Sequence, residues 1–153
     1  MQHIDVIDTQ LLNLLQQNNR KTADELGKKL NLSTSAVQRR LQRLRSKKII
    51  EADISIVSPE AVGLYVSFLV EVSLNLGNST VIENFKKLMS SCSEVTQCYY
   101  VAGLYDFILV VTTKDMKQYE SFSKKYLMDN KNVKQFYTHV VLNRVKMQYG
   151  VKL

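Results

Sequence analysis

Several kinds of scaffold are missing from this 153-residue chain. Its two cysteines, Cys92 and Cys98, are too few for a disulfide framework, and no CxxC pair or His/Cys cluster has zinc spacing. Cys98 reads as a small hydrophobe within a strand and Cys92 as a loop residue. Only two histidines occur. His3 lies at a terminus and is expected to be solvated; His139 falls in an expected strand, where a structural or pocket-lining role suits it better than catalysis. The one proline, Pro59, marks a break between segments. No apolar run approaches the roughly 18 residues that span a bilayer. The opening Met-Gln-His-Ile-Asp-Val-Ile-Asp lacks the charged and apolar regions of a signal peptide. A cytoplasmic protein with no membrane partner and no cofactor is the expectation. Its apolar content, 45%, suffices for one core or two small ones.

Charge is present but unevenly spread. The chain carries a net +7. Residues 1–50 hold ten Lys and Arg against four Asp and Glu, a net of +6, whereas residues 51–153 hold eleven against ten, a net of +1. A basic first third on a nearly neutral remainder suggests a nucleic-acid footprint confined to one domain. Within that third, Ser33 suits an N-cap, because its hydroxyl can accept an unpaired N–H of the first helical turn. Val37, Leu41 and Leu44 follow at i, i+4, i+7 and form one apolar stripe. The other faces carry Thr34, Ser35, Gln38, Arg39, Gln42, Arg43 and Arg45.

Two helices are expected before this one. Asp5 and Asp8 resemble a capping box with Asp in place of Glu, and Ile7, Leu11, Leu14 and Leu15 continue an apolar stripe to about Asn18. Thr22-Ala23-Asp24-Glu25 is an S/T-x-x-E box opening a second helix to about Leu30, with Asn31-Leu32 as the turn. The three make a helix-turn-helix domain, simple or winged, over residues 1–50. Ile54 and Ile56 alternate with Asp53 and Ser55 and read as a short strand. With Pro59 and Gly63 they define a strand and linker, 51–63. Beyond it the period changes. Strands are expected at Tyr65–Leu74, Val95–Ala102, Phe107–Thr113 and Val133–Leu142. The Gly77–Ser79 turn leads to a helix carrying Val81, Ile82, Phe85, Leu88 and Met89; a second, capped by Asp115, carries Met116, Tyr119, Phe122 and Tyr126. The fold class is therefore α+β: an N-terminal helix-turn-helix domain joined to a ferredoxin-like βαββαβ domain over 64–153. One face of such a sheet needs cover, and pairing with a second copy supplies it, so a homodimer is expected.

The chain resembles the Lrp/AsnC (leucine-responsive/asparagine, or feast/famine) regulators. The resemblance rests on Ile4-Asp5-x-x-Asp8 with Leu11-Leu12, Arg20 before the second helix, and Leu32-Ser33-x-x-Ala36-Val37-x-x-Arg40-Leu41-x-Arg43-Leu44. In the second half it rests on Val95-x-x-Cys98-Tyr99, Gly103-x-Tyr105-Asp106 and Thr138-x-Val140-Val141-Leu142. It runs nearly the full length. There are two departures. Lys48 stands where the family usually places a Gly after the recognition helix, and Leu104 replaces the first acid of a Gly-Asp-Tyr/Phe-Asp loop.

Basic side chains neutralise phosphates, while a few residues near the start of the third helix read base edges in the major groove. The candidates for bases are Thr34, Ser35, Gln38 and Arg39, helped by Gln42 and Arg43. Arg20, Lys21, Arg45, Lys47 and Lys48 suit phosphates. Arg40 borders the apolar stripe and is open to an acid partner instead of DNA. The resemblance further implies a transcriptional regulator of double-stranded DNA, associated with the nucleoid, whose second domain binds an amino acid between subunits. Gly103, Leu104, Tyr105 and Asp106 form the loop concerned, with Asp106 suited to an α-ammonium group; Met116, Thr138, His139 and Val140 are matching positions. Leu104 suggests an apolar rim, which favours either no effector or an apolar one such as leucine or methionine, and the family resemblance implies tetramers or octamers built from dimers. A nucleoid-organising protein of little sequence preference shares this fold. A tetrapyrrole decarboxylase of related architecture needs anion-binding Arg and general-acid His around a large pocket. Arg144 and His139 alone are poor equipment for that, so no enzyme activity is expected.

Overall fold

The computed structural model describes residues 4–75 and 78–153; His3 and the Gly77 part of the expected turn lie outside them. The chain divides into two compact units. One comprises residues up to Ile56 together with Lys146–Leu153, and the other is Val57–Val145.

The first unit is built on three helices, each started by the residue its sequence marks. In α1 (Val6–Gln17), Asp5 is the N-cap, and it and Asp8 complete a reciprocal capping box. In α2 (Ala23–Leu30), Thr22 and Glu25 do the same. In α3 (Thr34–Ser46), the Ser33 hydroxyl accepts the Ala36 N–H at 3.2 Å. Such caps are each worth about 1 kcal/mol. Leu11, Leu12, Leu26, Val37, Leu41 and Leu44 form the core. Asn31 ends α2 in the left-handed conformation (φ 54°), and the Leu32 N–H returns to the Gly27 carbonyl at 2.9 Å. The turn passes so close that a Cβ on Gly27 would stand 2.6 Å from the Leu32 carbonyl oxygen. Only glycine leaves room there. Lys48 also takes a left-handed conformation (φ 53°). It does so while the Ile49 and Ile50 N–H groups close onto the Leu44 carbonyl, the exit geometry that glycine would adopt freely.

The short strand expected around Ile54 and Ile56 is absent. Residues 51–58 adopt no helix or strand, and both isoleucines are exposed. Alternation alone makes no strand: a ladder partner is needed, and the described residues provide none here.

The second unit follows the βαββαβ order. Its elements are β1 (Val66–Leu74), α4 (Ser79–Ser90), β2 (Val95–Tyr100), β3 (Phe107–Thr113), α5 (Met116–Ser123) and β4 (Val133–Val140). The sheet is antiparallel in the order β2-β3-β1-β4. Phe68, Val70 and Val72 of β1 and Phe107, Leu109 and Val111 of β3 point to the helices and meet Phe85, Met89 and Phe122. Past Ser123 the helix widens into a π-helical turn, Lys124–Met128, closed by the Asp129 N–H on the Lys124 carbonyl at 3.0 Å. Leu127 in that turn is buried. Cys92 is buried and Cys98 half-buried in β2; burial pushes both thiols up, as suits small hydrophobes.

Candidate nucleic-acid interface and ligand loop

The buried stripe of α3 leaves its other side free. Ser35, Gln38, Arg39 and Gln42 recur at i, i+3, i+4, i+7 and are all exposed, as is Thr34 on the first turn. Arg39 makes no ion pair with any described residue. Arg20, Lys47 and Lys48 are exposed as well, while Lys21 is half-buried with its Nζ 3.5 Å from the Leu14 carbonyl. The presented surface combines hydrogen-bonding tips, one unpaired guanidinium and flanking cations.

The remaining arginines of α3 are engaged. Arg40 Nη1 donates to Asp5 Oδ2 at 2.7 Å and to Asp8 Oδ1 at 2.8 Å. Arg43 Nη2 donates to Asp8 Oδ2. Arg43 was expected to help at bases, but its guanidinium is turned to a carboxylate on α1. Burial pushes the Asp8 carboxyl up, yet the hydrogen bonds from Arg40 and Arg43 outweigh it and hold it below its ordinary value. Asp5 is held down chiefly by the Arg40 hydrogen bond. Arg45 makes a two-pronged contact with Asp53, at 2.8 and 3.3 Å. Both of those side chains are more than 40% exposed, so the pair is open to exchange with solvent ions.

In the second unit the expected ligand residues do not converge. Phe107 pairs with Val72 and Thr113 with Val66. The Gly103–Asp106 loop just before Phe107 and Met116 just after Thr113 therefore lie at opposite ends of the sheet, about 20 Å apart at ~3.4 Å per residue. Nor do the β4 positions share a face. Thr138 sits opposite Val70 and hydrogen-bonds the Tyr119 hydroxyl of α5, and Val140 sits opposite Phe68 on the same side. His139 points to the open face, with Nε2 3.4 Å from Glu71 Oε2, because side chains alternate along a strand. Tyr105 also turns to that face. Its ring packs edge-on against Tyr137 at 5.9 Å, and burial, then Glu71, push its hydroxyl up.

Gly103 adopts φ 152°, a backbone that side chains rarely permit, and Leu104 beside it is 89% exposed. Asp106 is less free than the sequence suggested. Its N–H donates to the Val72 carbonyl at 2.9 Å, and its Oδ2 accepts the Leu74 N–H at 2.7 Å, extending the β1–β3 ladder by one side-chain bond. One carboxylate oxygen is thus occupied in holding the strand end. Arg40 has the acid partner its sequence position leaves open, but the identity of the acids, Asp5 and Asp8, and the part of Arg43 in the clamp are not legible in the sequence. Its available signal was two acids three apart on one helix and two arginines three apart on another.

A three-helix module with a capped, basic third helix, followed by a ferredoxin-like unit, defines a DNA-binding regulator architecture. Residues 4–45 match the AsnC-type helix-turn-helix domain and residues 67–151 the Lrp/AsnC ligand binding domain. An uncharacterized HTH-type transcriptional regulator of Sinorhizobium fredii is 47% identical over 150 residues, covering 98% of this chain and 89% of its own. The leucine-responsive regulatory protein of Escherichia coli K12 is 29% identical, covering 94% and 87%. Among solved structures, a transcriptional regulator from Neisseria meningitidis in complex with L-Met superposes with a TM-score of 0.92 at 27% identity, covering 98% and 97%. The chain belongs to the Lrp/AsnC family of transcriptional regulators. The family and these relatives are regulators rather than enzymes. No helix among the described residues is long and apolar enough to cross a membrane.

Proposed function

We propose that this protein is a sequence-specific regulator that reads double-stranded DNA through α3 and responds to a small amino acid bound between its second domains. The observation that carries the reading is the exposed stripe Ser35, Gln38, Arg39 and Gln42, turned away from the dry stripe of the same helix. Thr34 extends it at the helix start. Gln and Arg offer the bidentate fork that base edges require, and Arg20, Lys21, Lys47 and Lys48 flank it as phosphate contacts. Arg45 joins them by exchanging exposed Asp53 for phosphate.

The domain division we favour is 1–50 for DNA, 51–63 as linker and 64–153 for ligand and assembly. On the open sheet face Leu69, Tyr99 and Tyr137 are exposed beside half-buried Ile108 and Val110, which supports a homodimer. Dimers would then assemble further, to tetramers or octamers. Leu104 supports an apolar effector, leucine or methionine, and the Neisseria relative's complex with L-Met makes methionine the first to try. The protein would act in the cytoplasm, at the nucleoid.

The test is titration onto the upstream duplex of its own gene and onto a scrambled duplex, at several salt concentrations, with and without L-methionine or L-leucine. Preference for the upstream duplex that shifts with an amino acid supports the reading. Arg39→Ala should then weaken the preferred duplex about 10- to 100-fold more than the scrambled one. Equal, steeply salt-dependent binding to both duplexes would replace it with an architectural, nucleoid-organising role.

A further inference from the structure

We propose that Arg40 and Arg43, although on the DNA-reading helix, are positioning residues: the Asp5–Asp8 capping box holds them and so fixes the face that α3 turns to DNA. This rests on the DNA-reading function proposed above. A capping box ordinarily satisfies only its own helix, and here Asp5 Oδ1 accepts the Asp8 N–H at 2.7 Å while Asp8 Oδ2 accepts the Asp5 N–H at 3.2 Å. Each carboxylate has a second task. Asp5 takes Arg40, and Asp8 takes both Arg40 and Arg43. The start of α1 is thereby pinned to α3 at two positions three residues apart, one turn of the same side.

Burial decides which arginines remain clamped. Asp8 is fully buried, so a guanidinium that left it for a phosphate would abandon a charge with little water to replace the bond. Arg45 is the contrast, since its partner Asp53 is exposed and loses little on release. Two acids and two arginines also cancel in charge. The cluster therefore contributes rigidity and almost no counterion release. Were either arginine to swing out, α3 would keep its cations but lose the brace that sets its roll against α1, and base-reading side chains would miss their register.

The experiment measures salt dependence and duplex preference for the full chain and for Arg43→Gln, Arg43→Lys, Asp8→Asn and Arg45→Gln, each checked for folding by circular dichroism. Losing a phosphate contact lowers the slope of log K against log salt by about 0.9. The expected result is that Arg45→Gln lowers the slope by about that amount. Arg43→Gln should leave the slope unchanged and shrink the preference for the upstream duplex about tenfold, with Asp8→Asn shrinking it equally and a chain carrying both Asp8→Asn and Arg43→Gln no worse than either. Arg43→Lys keeps the charge but cannot reproduce the guanidinium geometry, and should lose preference at constant slope even if Arg43→Gln fails to fold. A slope lowered by about 0.9 in Arg43→Gln with preference intact, or an Arg43→Lys indistinguishable from the parent, would overturn the inference. A parent chain that does not distinguish the duplexes brings down the DNA-reading function itself, a separate and earlier failure.

Discussion

Gly27→Ala sets two known effects against each other, and the structure decides between them. In an exposed helix, replacing Gly by Ala gains about 1 kcal/mol through reduced chain entropy. Gly27 lies within α2 and is buried, and an added Cβ would stand 2.6 Å from the Leu32 carbonyl oxygen, where under 3.0 Å something must shift. The obstructing atom is backbone, so no rotamer change relieves it. Relief means moving the turn by several tenths of an ångström, which stretches the 2.9 Å bond from the Leu32 N–H to the Gly27 carbonyl. Overpacking typically costs about 1–3 kcal/mol and a weakened hydrogen bond about 1 more. The net is a loss of about 1–3 kcal/mol. For a unit of this size that lowers the melting temperature on the order of 5–15 °C. Thermal unfolding followed by the helical circular dichroism signal, with DNA binding measured below the transition, tests it. A melting temperature equal to or above the parent's would refute the close approach of α2 to the turn.

Other consequences follow from single residues. Lys48→Gly should stabilise the first unit by about 1 kcal/mol, because a left-handed φ of 53° strains a residue with a Cβ. Lower stability in urea unfolding would mean the Lys48 side chain contributes more than its backbone costs. Asp5 and Asp8 are both held below their ordinary values, so their stabilisation is present above the unfolded carboxylate range, about pH 4. It is lost as pH falls through their lowered folded values. Melting of the first unit should therefore drop as the pH is lowered below about 4, and an unchanged transition there would remove the clamp's contribution. Asp106→Ala should destabilise the second unit by about 1–2 kcal/mol through the lost bond to the Leu74 N–H, whereas Asp106→Asn, which keeps an acceptor oxygen, should not. If Asp106→Asn nevertheless abolishes an amino-acid response, the charge acts on the ligand; equal instability of both variants would show that shape alone is insufficient.

What could be read in advance follows the range of each interaction. Ser33, Thr22–Glu25 and Asp5–Asp8 act on backbone three residues away, so their caps were legible. So was the dry stripe of α3, which fixes its wet side. The Arg43–Asp8 pairing joins residues 35 apart in the chain, and no local pattern says which of several acids an arginine will meet. The strand at Ile54 and Ile56 failed for the same reason, since its existence depends on a partner rather than on its own alternation. His139 is a different case. Strand alternation alone separates it from Thr138 and Val140, because neighbouring residues of a strand point to opposite faces. Asp106 ends the segment just before β3, as its sequence position implies, but its bond to Leu74 belongs to a ladder whose register cannot be counted from either strand alone.

The same register sets a condition on any effector. The Gly103–Asp106 loop and Met116 stand about 20 Å apart in one protomer, longer than an amino acid can reach. A ligand that uses both must meet them on different protomers, so its binding and the assembly of protomers are thermodynamically linked. At a free concentration of about 100 times its Kd, each ligand would stabilise the assembled form by about 2.7 kcal/mol, roughly a hundredfold in the association constant. Sedimentation of the full chain over a range of protein concentrations, with and without L-methionine or L-leucine, reads that shift directly. An association midpoint that moves to at least about hundredfold lower concentration, more where two equivalent sites fill, is the expected outcome. Ligand binding that leaves the midpoint where it was would place the site within one protomer, and the residues at one end of the sheet would have to be given up.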